Sequence, residues 1–476
     1  MNLSLSLLSA LFLIGIFPRF NFTWLAPLAL TPLLVACALE TSWKLRALYG
    51  WAAGFVFWFG VCYWIQFVLA VHGGLDLWLS WVTFCLFALL KGFHMALFAL
   101  FAGFVMKRWW AIPGIAALWT GIERTHGPLG FAWLDLGNAG VDMPLAMRLA
   151  PFTGVYGLSF VFAMLACALA LVILRRPRLE LAWLIALLAL PLLPSPPPPA
   201  PAAESVRVVQ PNIDTEKEWT VASLSEEEDH LAALSRSPGD YLIVWPEAPA
   251  PFYPSNPDFL GFVANLASGS SAYLLFGGVG HTPGGAPLNS AFLLNPGGSM
   301  IGQYDKIKLV PFGEFVPPPF GWVNRITKEA GDFAPGDRIV VFPVNSHRLG
   351  AFICYESAFP DLVRGFARDG AELLVNLSND GYFGKSAARE QHLALVRMRA
   401  AENHRWILRA TNDGITAMID PAGRVTERLQ PYFELAAEMR FSYRADLTPY
   451  TRHGDWFAWG CLALGALGVI WTLARV

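Results

Sequence analysis

Long apolar runs broken by short polar interruptions fill the first two hundred residues. They fall near 3–18, 23–40, 48–71, 78–105, 109–124, 154–174 and 179–196, and one more lies at 455–474. A helix needs about 20 apolar residues (range roughly 17–25) to cross a bilayer. The pattern therefore predicts a polytopic α-helical membrane domain of about eight spans, with the first and fifth runs near the lower limit. The first run lacks the basic start and small-residue cleavage site of a signal peptide, so it is expected to remain as an anchor.

Between roughly 204 and 453 the pattern changes period. Strand-length runs recur: "VRVVQ" (206–210), "YLIVW" (241–245), "AYLLFGG" (272–278), "SAFLLN" (290–295), "RIVVFPV" (338–344), "LGAFIC" (349–354), "ELLVNLS" (372–378) and "WILRAT" (406–411). "NPGG" (295–298) and "DPAG" (420–423) are tight-turn signals between strand pairs. The stretch 386–405 reads as a helix with Leu393, Val396 and Ala400 on one face. Strands alternating with helices, plus hairpins, predict an α/β layered sandwich. No internal repeat is evident.

Charge sharpens this division. Only 15% of residues are charged, against about 25% in ordinary globular chains, and mean hydropathy is +0.44. A net charge of −2 argues against electrostatic nucleic-acid binding. Lys44 and Arg46, Lys107 and Arg108, and Arg175, Arg176 and Arg178 fall on one side of an alternating eight-span path; Arg19, Arg124 and Arg148 fall on the other. By the positive-inside rule the first side and both termini are cytoplasmic, and 197–454 faces the exported compartment. The expected domains are a seven-span region 1–196, a Pro-rich linker 197–204, a catalytic domain 205–450 and a final helix 455–474. Consecutive prolines in the linker favour extended polyproline II.

Cys37, Cys62, Cys85, Cys167 and Cys461 fall inside predicted spans, whereas Cys354 is alone in the polar region. Exported cysteines usually pair in disulfides, and this one has no partner there. It is either a buried inert thiol at a strand end or a nucleophile, which needs a base because a free thiol titrates near pH 8.5. Glu247 follows a strand and a proline in "LIVWPEAP", and Lys306 and Glu314 lie in "YDKIKLVPFGEFVP". Each alone is also compatible with an ordinary surface turn.

Other signals carry less. "GGVGHTPGG" (277–285) lacks the spacing of a dinucleotide loop, and "GKS" (384–386) has no glycine where a phosphate loop requires one. His392 has no second ligand at metal spacing. Lys91 and His94 share a face of the fourth span, either lining a lipid-facing cleft or pairing internally.

The order Glu247, Lys306, Cys354, with "WPEAP", "ICYES", "NLSNDGYFG" and "LRATNDGITAMIDPAGRV", resembles the nitrilase superfamily. With the preceding spans it is similar, more narrowly, to the apolipoprotein N-acyltransferase family over almost the whole chain. The resemblance implies an α-β-β-α sandwich and a triad of Glu247 as general base, Lys306 as oxyanion stabiliser and Cys354 as nucleophile. Glu314, Tyr355 and Glu356 would support it, and Trp219, Asn289, Tyr382 and Phe383 would lie on the substrate side. Gly381–Tyr382 stands where the family commonly has Ala-Trp.

The resemblance further implies a bacterial inner-membrane enzyme without cofactor or metal. It would transfer an acyl chain by ping-pong chemistry from a phospholipid, typically phosphatidylethanolamine, to the amino-terminal cysteine of a diacylated apolipoprotein. Two other classes stand beside this: a membrane-anchored amidase that discharges its acyl-enzyme with water, and an inactive scaffold or transporter.

Overall fold

The computed structural model describes every residue except 129–130, 197, 199–201, 216, 237–240, 249, 312, 316–332 and 475–476. Much of the expected linker at 197–204 lies outside the described residues. Two compact units emerge: Met1–Phe67, Asp76–Pro196 and His453–Val476 form one, and Val68–Leu75 and Pro197–Arg452 form the other.

The first unit is helical. Its helices are α1 (Asn2–Gly15), α2 (Thr31–Leu39), α3 (Trp43–Val61), α4 (Trp64–Val71, whose end belongs to the second unit), α5 (Leu77–Val105), α6 (Ala111–Arg124), the single turns α7 (Pro144–Met147) and α8 (Ala150–Thr153), α9 (Val155–Ile173) and a C-terminal helix Trp456–Leu473. Among the described residues, α5, α9 and the C-terminal helix are each long and apolar enough to cross a bilayer. α3 and α4, bent by 61° at a short break, make a fourth if taken together. α1 and α6 have 14 residues each, which at about 1.5 Å per residue reach roughly 21 Å of a ~30 Å hydrocarbon core.

The run expected as a seventh helix at 179–196 is wound instead as 3₁₀ turns over Arg178–Leu192. Hydropathy reports apolar composition and is blind to whether a carbonyl is bonded three or four residues on. α3 and α5 approach at backbone distance: a Cβ on Gly54 would lie 2.7 Å from the Gly92 Cα, so only glycine fits the crossing. Lys91 pairs internally, donating to the Phe131 carbonyl at 2.9 Å with its ammonium 4.8 Å from the Trp58 ring centre.

The second unit is built on two six-stranded sheets, ordered β12-β1-β2-β3-β4-β5 and β11-β10-β9-β8-β7-β6. The strands are β1 (Glu204–Gln210), β2 (Leu242–Val244), β3 (Tyr273–His281), β4 (Pro287–Leu294), β5 (Met300–Asp305), β6 (Val341–Val344), β7 (His347–Ile353), β8 (Leu373–Ser378), β9 (Ile407–Thr411), β10 (Ala417–Ile419), β11 (Val425–Arg428) and β12 (Leu435–Phe441). β1, β2 and β3 run parallel, as do β7, β8 and β9. The sheets face each other through β1 with β9 and β4 with β7. Helices α10 (Val221–Ser235) and α11 (Pro257–Ser270) lie against the first sheet, and α12 (Pro360–Arg368) and α13 (Ala388–Asn403) against the second.

All eight expected strand runs are strands. The parallel strands are almost wholly buried, which is why they read as continuous apolar runs. Asn295–Gly298 turns β4 into β5 and Asp420–Gly423 turns β10 into β11, each closing on a glycine of positive φ (77° and 79°).

Candidate active site

The candidate residues sit where strands end. β2 stops at Val244; Trp245 N still donates to the Leu275 carbonyl at 2.9 Å and the Pro246 carbonyl accepts from Gly277 N at 3.1 Å, but Pro246, lacking an N–H, donates nothing itself. Glu247 follows at the turn. Gly277 on β3 makes room for it, since a Cβ there would lie 2.5 Å from Ala248 N and 2.7 Å from the Glu247 Cα. Lys306 comes directly after β5, its amide bonded to the Asn289 carbonyl of β4 at 2.8 Å. Cys354 comes directly after β7 and opens a 3₁₀ turn, Cys354–Ala358.

Glu247, Lys306, Glu314 and Asn289 form one closed cluster. The Lys306 ammonium donates to Glu247 Oε1 at 3.0 Å and to Glu314 Oε1 at 2.8 Å. The Asn289 amide donates to the same two oxygens at 2.8 and 2.7 Å. The second oxygens are also held: Glu247 Oε2 accepts from Asn379 N and Glu314 Oε2 from Val310 N, each at 2.8 Å. Lys306 is 1% exposed. Burial opposes its charge, but the flanking Glu247 and Glu314 carboxylates outweigh that and hold its pKa well above the usual lysine range. Of its three donors, two are spent on carboxylates, which leaves one N–H among the described residues.

Cys354 is held in a strained backbone. Its φ of +50° is left-handed, costing a non-glycine residue about 1–3 kcal/mol, so its surroundings must impose it. Glu356, fully buried, supplies part of the clamp. Its Oε2 accepts from Ile353 N at 2.7 Å, while Oε1 accepts from Tyr304 Oη and Ile307 N, both at 2.7 Å. One carboxylate thus ties the approach to Cys354 to the chain leaving Lys306. The thiol is 7% exposed. Burial, then the Glu247 carboxylate, push its pKa well above the ordinary thiol value; Lys306 pulls the other way and does not win. The resting sulfur is a neutral thiol.

Tyr355 is buried with its ring edge-on to Phe359 at 5.1 Å. Tyr382 and Phe383 lie on the 3₁₀ turn after β8, Asp380–Phe383. Tyr382 is 46% exposed with its ring 4.5 Å from that of His72, and Phe383 is buried against His392. Gly381 is crowded, as a Cβ would lie 2.7 Å from Thr215 Cγ2, so alanine does not fit there without displacement. Trp219 packs against the core around Trp245 and Phe252 and lies away from the cluster's hydrogen bonds, its ring 5.1 Å from the Lys217 ammonium.

Sequence reasoning missed Asn379, Tyr304 and, in a buried set beneath Cys354, Asp380 and Arg409, and it weighed the third member, His392, only as a metal ligand. Arg409 pairs with Asp380. Burial works against the Asp380 charge, yet the Arg409 guanidinium holds its carboxyl well below the usual range. Their sequence signal was an arginine inside the apolar run "WILRAT" and an aspartate directly past a buried strand.

A family model described as "Apolipoprotein N-acyltransferase N-terminal domain" matches residues 9–168, and one described as "Carbon-nitrogen hydrolase" matches 205–443. The apolipoprotein N-acyltransferase of Geobacter metallireducens is 34% identical, covering 97% of this chain and 94% of its own length. The chain belongs to the apolipoprotein N-acyltransferase family. Its relative from Azotobacter vinelandii is 33% identical over 94% of this chain and 91% of its own. A solved nitrilase-superfamily amidase of Nesterenkonia AN1 aligns over 51% of this chain and 92% of its own, at 19% identity and TM-score 0.39. The family's hydrolase match spans every member of the cluster, and its amino-terminal match runs from within α1 to within α9.

Proposed function

We propose that this chain carries a fatty acyl group from a membrane phospholipid, through a thioester on Cys354, to an amino-terminal cysteine. The acceptor is the α-amino group of the S-diacylglyceryl-cysteine of an apolipoprotein. The observation that carries this reading is the Glu247–Lys306–Glu314–Asn289 cluster in one unit with a strained, buried Cys354, in a chain of this family.

In the first half-reaction Glu247 takes the thiol proton as Sγ attacks the ester carbonyl, and Lys306 stabilises the oxyanion. The intermediate collapses, the lysophospholipid alkoxide leaves with the proton from Glu247, and the acyl group stays on sulfur. In the second, the lipoprotein amine attacks the thioester, Glu247 receives its proton, and the departing sulfur recovers it as the amide forms. Glu314 and Asn289 keep Lys306 and Glu247 in register, Tyr355 and Glu356 brace the nucleophile turn, and Tyr382 and Phe383 flank the substrate.

Phosphatidylethanolamine is the donor in this reading, and no cofactor takes part. The enzyme sits in the bacterial inner membrane through about eight spans, seven within 1–196 and one at 455–474. Both termini are cytoplasmic, and the domain 205–450 is exported behind its 197–204 linker. This is supported by the Lys/Arg distribution of the short loops.

The test is intact-mass analysis of purified protein in phosphatidylethanolamine vesicles without acceptor. An acyl adduct that hydroxylamine removes is expected on wild type and absent from Cys354→Ala, whose rate falls by at least about 10⁴. A peptide with a free diacylated amino-terminal cysteine discharges the adduct, and its N-acetylated form does not. Discharge by water at the same rate without any amine replaces transfer by hydrolysis.

A further inference from the structure

We infer that His392, as the neutral tautomer protonated on Nε2, is a positioning residue for Cys354. It holds the nucleophile's main-chain carbonyl and so fixes the left-handed backbone that aims the thiol. The inference rests on the reading of Cys354 as the nucleophile.

His392 Nε2 lies 3.0 Å from the Cys354 carbonyl oxygen. A carbonyl only accepts, so Nε2 carries the hydrogen. Nδ1 lies 3.2 Å from both Asp380 Oδ1 and Arg409 Nη2. An imidazolium would donate to the first; a neutral ring accepts from the second. Two observations decide for the neutral ring. Asp380 is already served, by Ser378 Oγ at 2.9 Å on Oδ1 and by Arg409 on Oδ2. His392 is also fully buried beside the Arg409 cation, and burial, then that cation, lower its pKa despite Asp380.

The tautomer is therefore set from behind, by a chain of fixed donors. Arg409 on β9 donates its other arm to Asn376 Oδ1 on β8 at 2.6 Å, and the Asn376 amide reaches the Phe352 carbonyl on β7 at 3.4 Å. The result ties β7, β8, β9 and α13 to one carbonyl. Glu356 grips the amide before Cys354 and His392 grips the carbonyl after the Cα. The backbone around the +50° φ is thus held at the N–H of the preceding residue and at the carbonyl of Cys354 itself. With Nε2 facing a carbonyl, the ring is not placed to take the thiol proton, which separates His392 from the base.

Two amides of different reach test this. His392→Gln sets an N–H near the position of Nε2, whereas His392→Asn falls short of the carbonyl. Misplacing a reacting atom by about 1 Å costs on the order of 10² in rate. Acylation of Cys354 by phosphatidylethanolamine should stay within about five-fold of wild type in His392→Gln and fall about 100-fold in His392→Asn. KM and the pH profile should be unchanged in both. Iodoacetamide alkylation of Cys354 should show the same order, and because it needs no lipid it separates failure of this inference from failure of the acyl-donor reading. Equal loss in both variants, equal retention, or a shifted pH profile in His392→Gln overturns it.

Discussion

The two sheets of the second unit have the same plan and opposite uses of charge. Reading β12-β1-β2-β3-β4-β5 beside β6-β7-β8-β9-β10-β11, each begins with an antiparallel outer strand. Each continues through three parallel strands and ends in an antiparallel pair. Equivalent strand ends carry Glu247 after β2 and Asn379 after β8, and Gln210 closes β1 where Cys354 follows β7. In the first sheet the ionised groups stand at the rim, with one Lys306 donor still unspent among the described residues. In the second they lie beneath the rim, where Asp380 and Arg409 close on each other. In the proposed roles, the first arrangement keeps charge ready for a reacting centre and the second spends it on holding a backbone.

That contrast predicts which measurement each substitution moves. Glu247→Gln keeps shape and loses the proton acceptor, so acylation of Cys354 should fall by about 10²–10⁴, while the melting temperature falls modestly because the new amide nitrogen faces donors that the carboxylate served. Stopped-flow acylation beside a thermal melt checks both, and near wild-type acylation would remove Glu247 from the role of base.

Lys306→Ala should lower acylation by about 10²–10³. It also leaves the buried Glu247 carboxylate facing the half-buried Glu314 with no cation between them, so it should destabilise the fold more than the Glu247 change does, by about 3 kcal/mol, readable by denaturant titration.

Asp380→Asn, in the second sheet, should show the reverse balance: a stability loss of about 3 kcal/mol from an uncompensated Arg409 and the smallest direct effect on proton transfer. Its pH signature follows from the depressed Asp380 pKa. The stabilisation is fully present above about pH 4, the unfolded value, and drains as pH falls toward the folded one. Wild type and Asp380→Asn should therefore differ in melting temperature at pH 7 and converge in strong acid. A constant difference down to pH 2 would deny the pair its charge.

What was legible in the sequence follows the same division. Parallel central strands such as "ELLVNLS" are buried on both faces and stand out as unbroken apolar runs. β5, β11 and β12 are half exposed, and Leu435–Phe441, with two alanines and two charged residues among its seven, shows no strand period. Glu247, Lys306 and Cys354 stood out as polar groups at strand ends. Their closure into one cluster with Asn289 depends on pairing across β3, β4 and β5, which local pattern does not carry. His392 was weighed only as a metal ligand, because its partners on β8, β9 and the nucleophile turn are distant in sequence. The doubled plan of the sheets escaped notice because the two copies share topology and not side chains.

The neutral, buried state of Cys354 has a consequence for chemical durability. Oxidants such as peroxide attack the thiolate, and susceptibility follows thiolate character and exposure. A thiol kept protonated, 7% exposed and without a second cysteine in its unit offers little thiolate to oxidise and no neighbour with which to form a disulfide. In the proposed reading, with the domain exported and Cys354 as the nucleophile, the thiol can wait for substrate without a reductant to restore it, becoming reactive only while a base removes its proton.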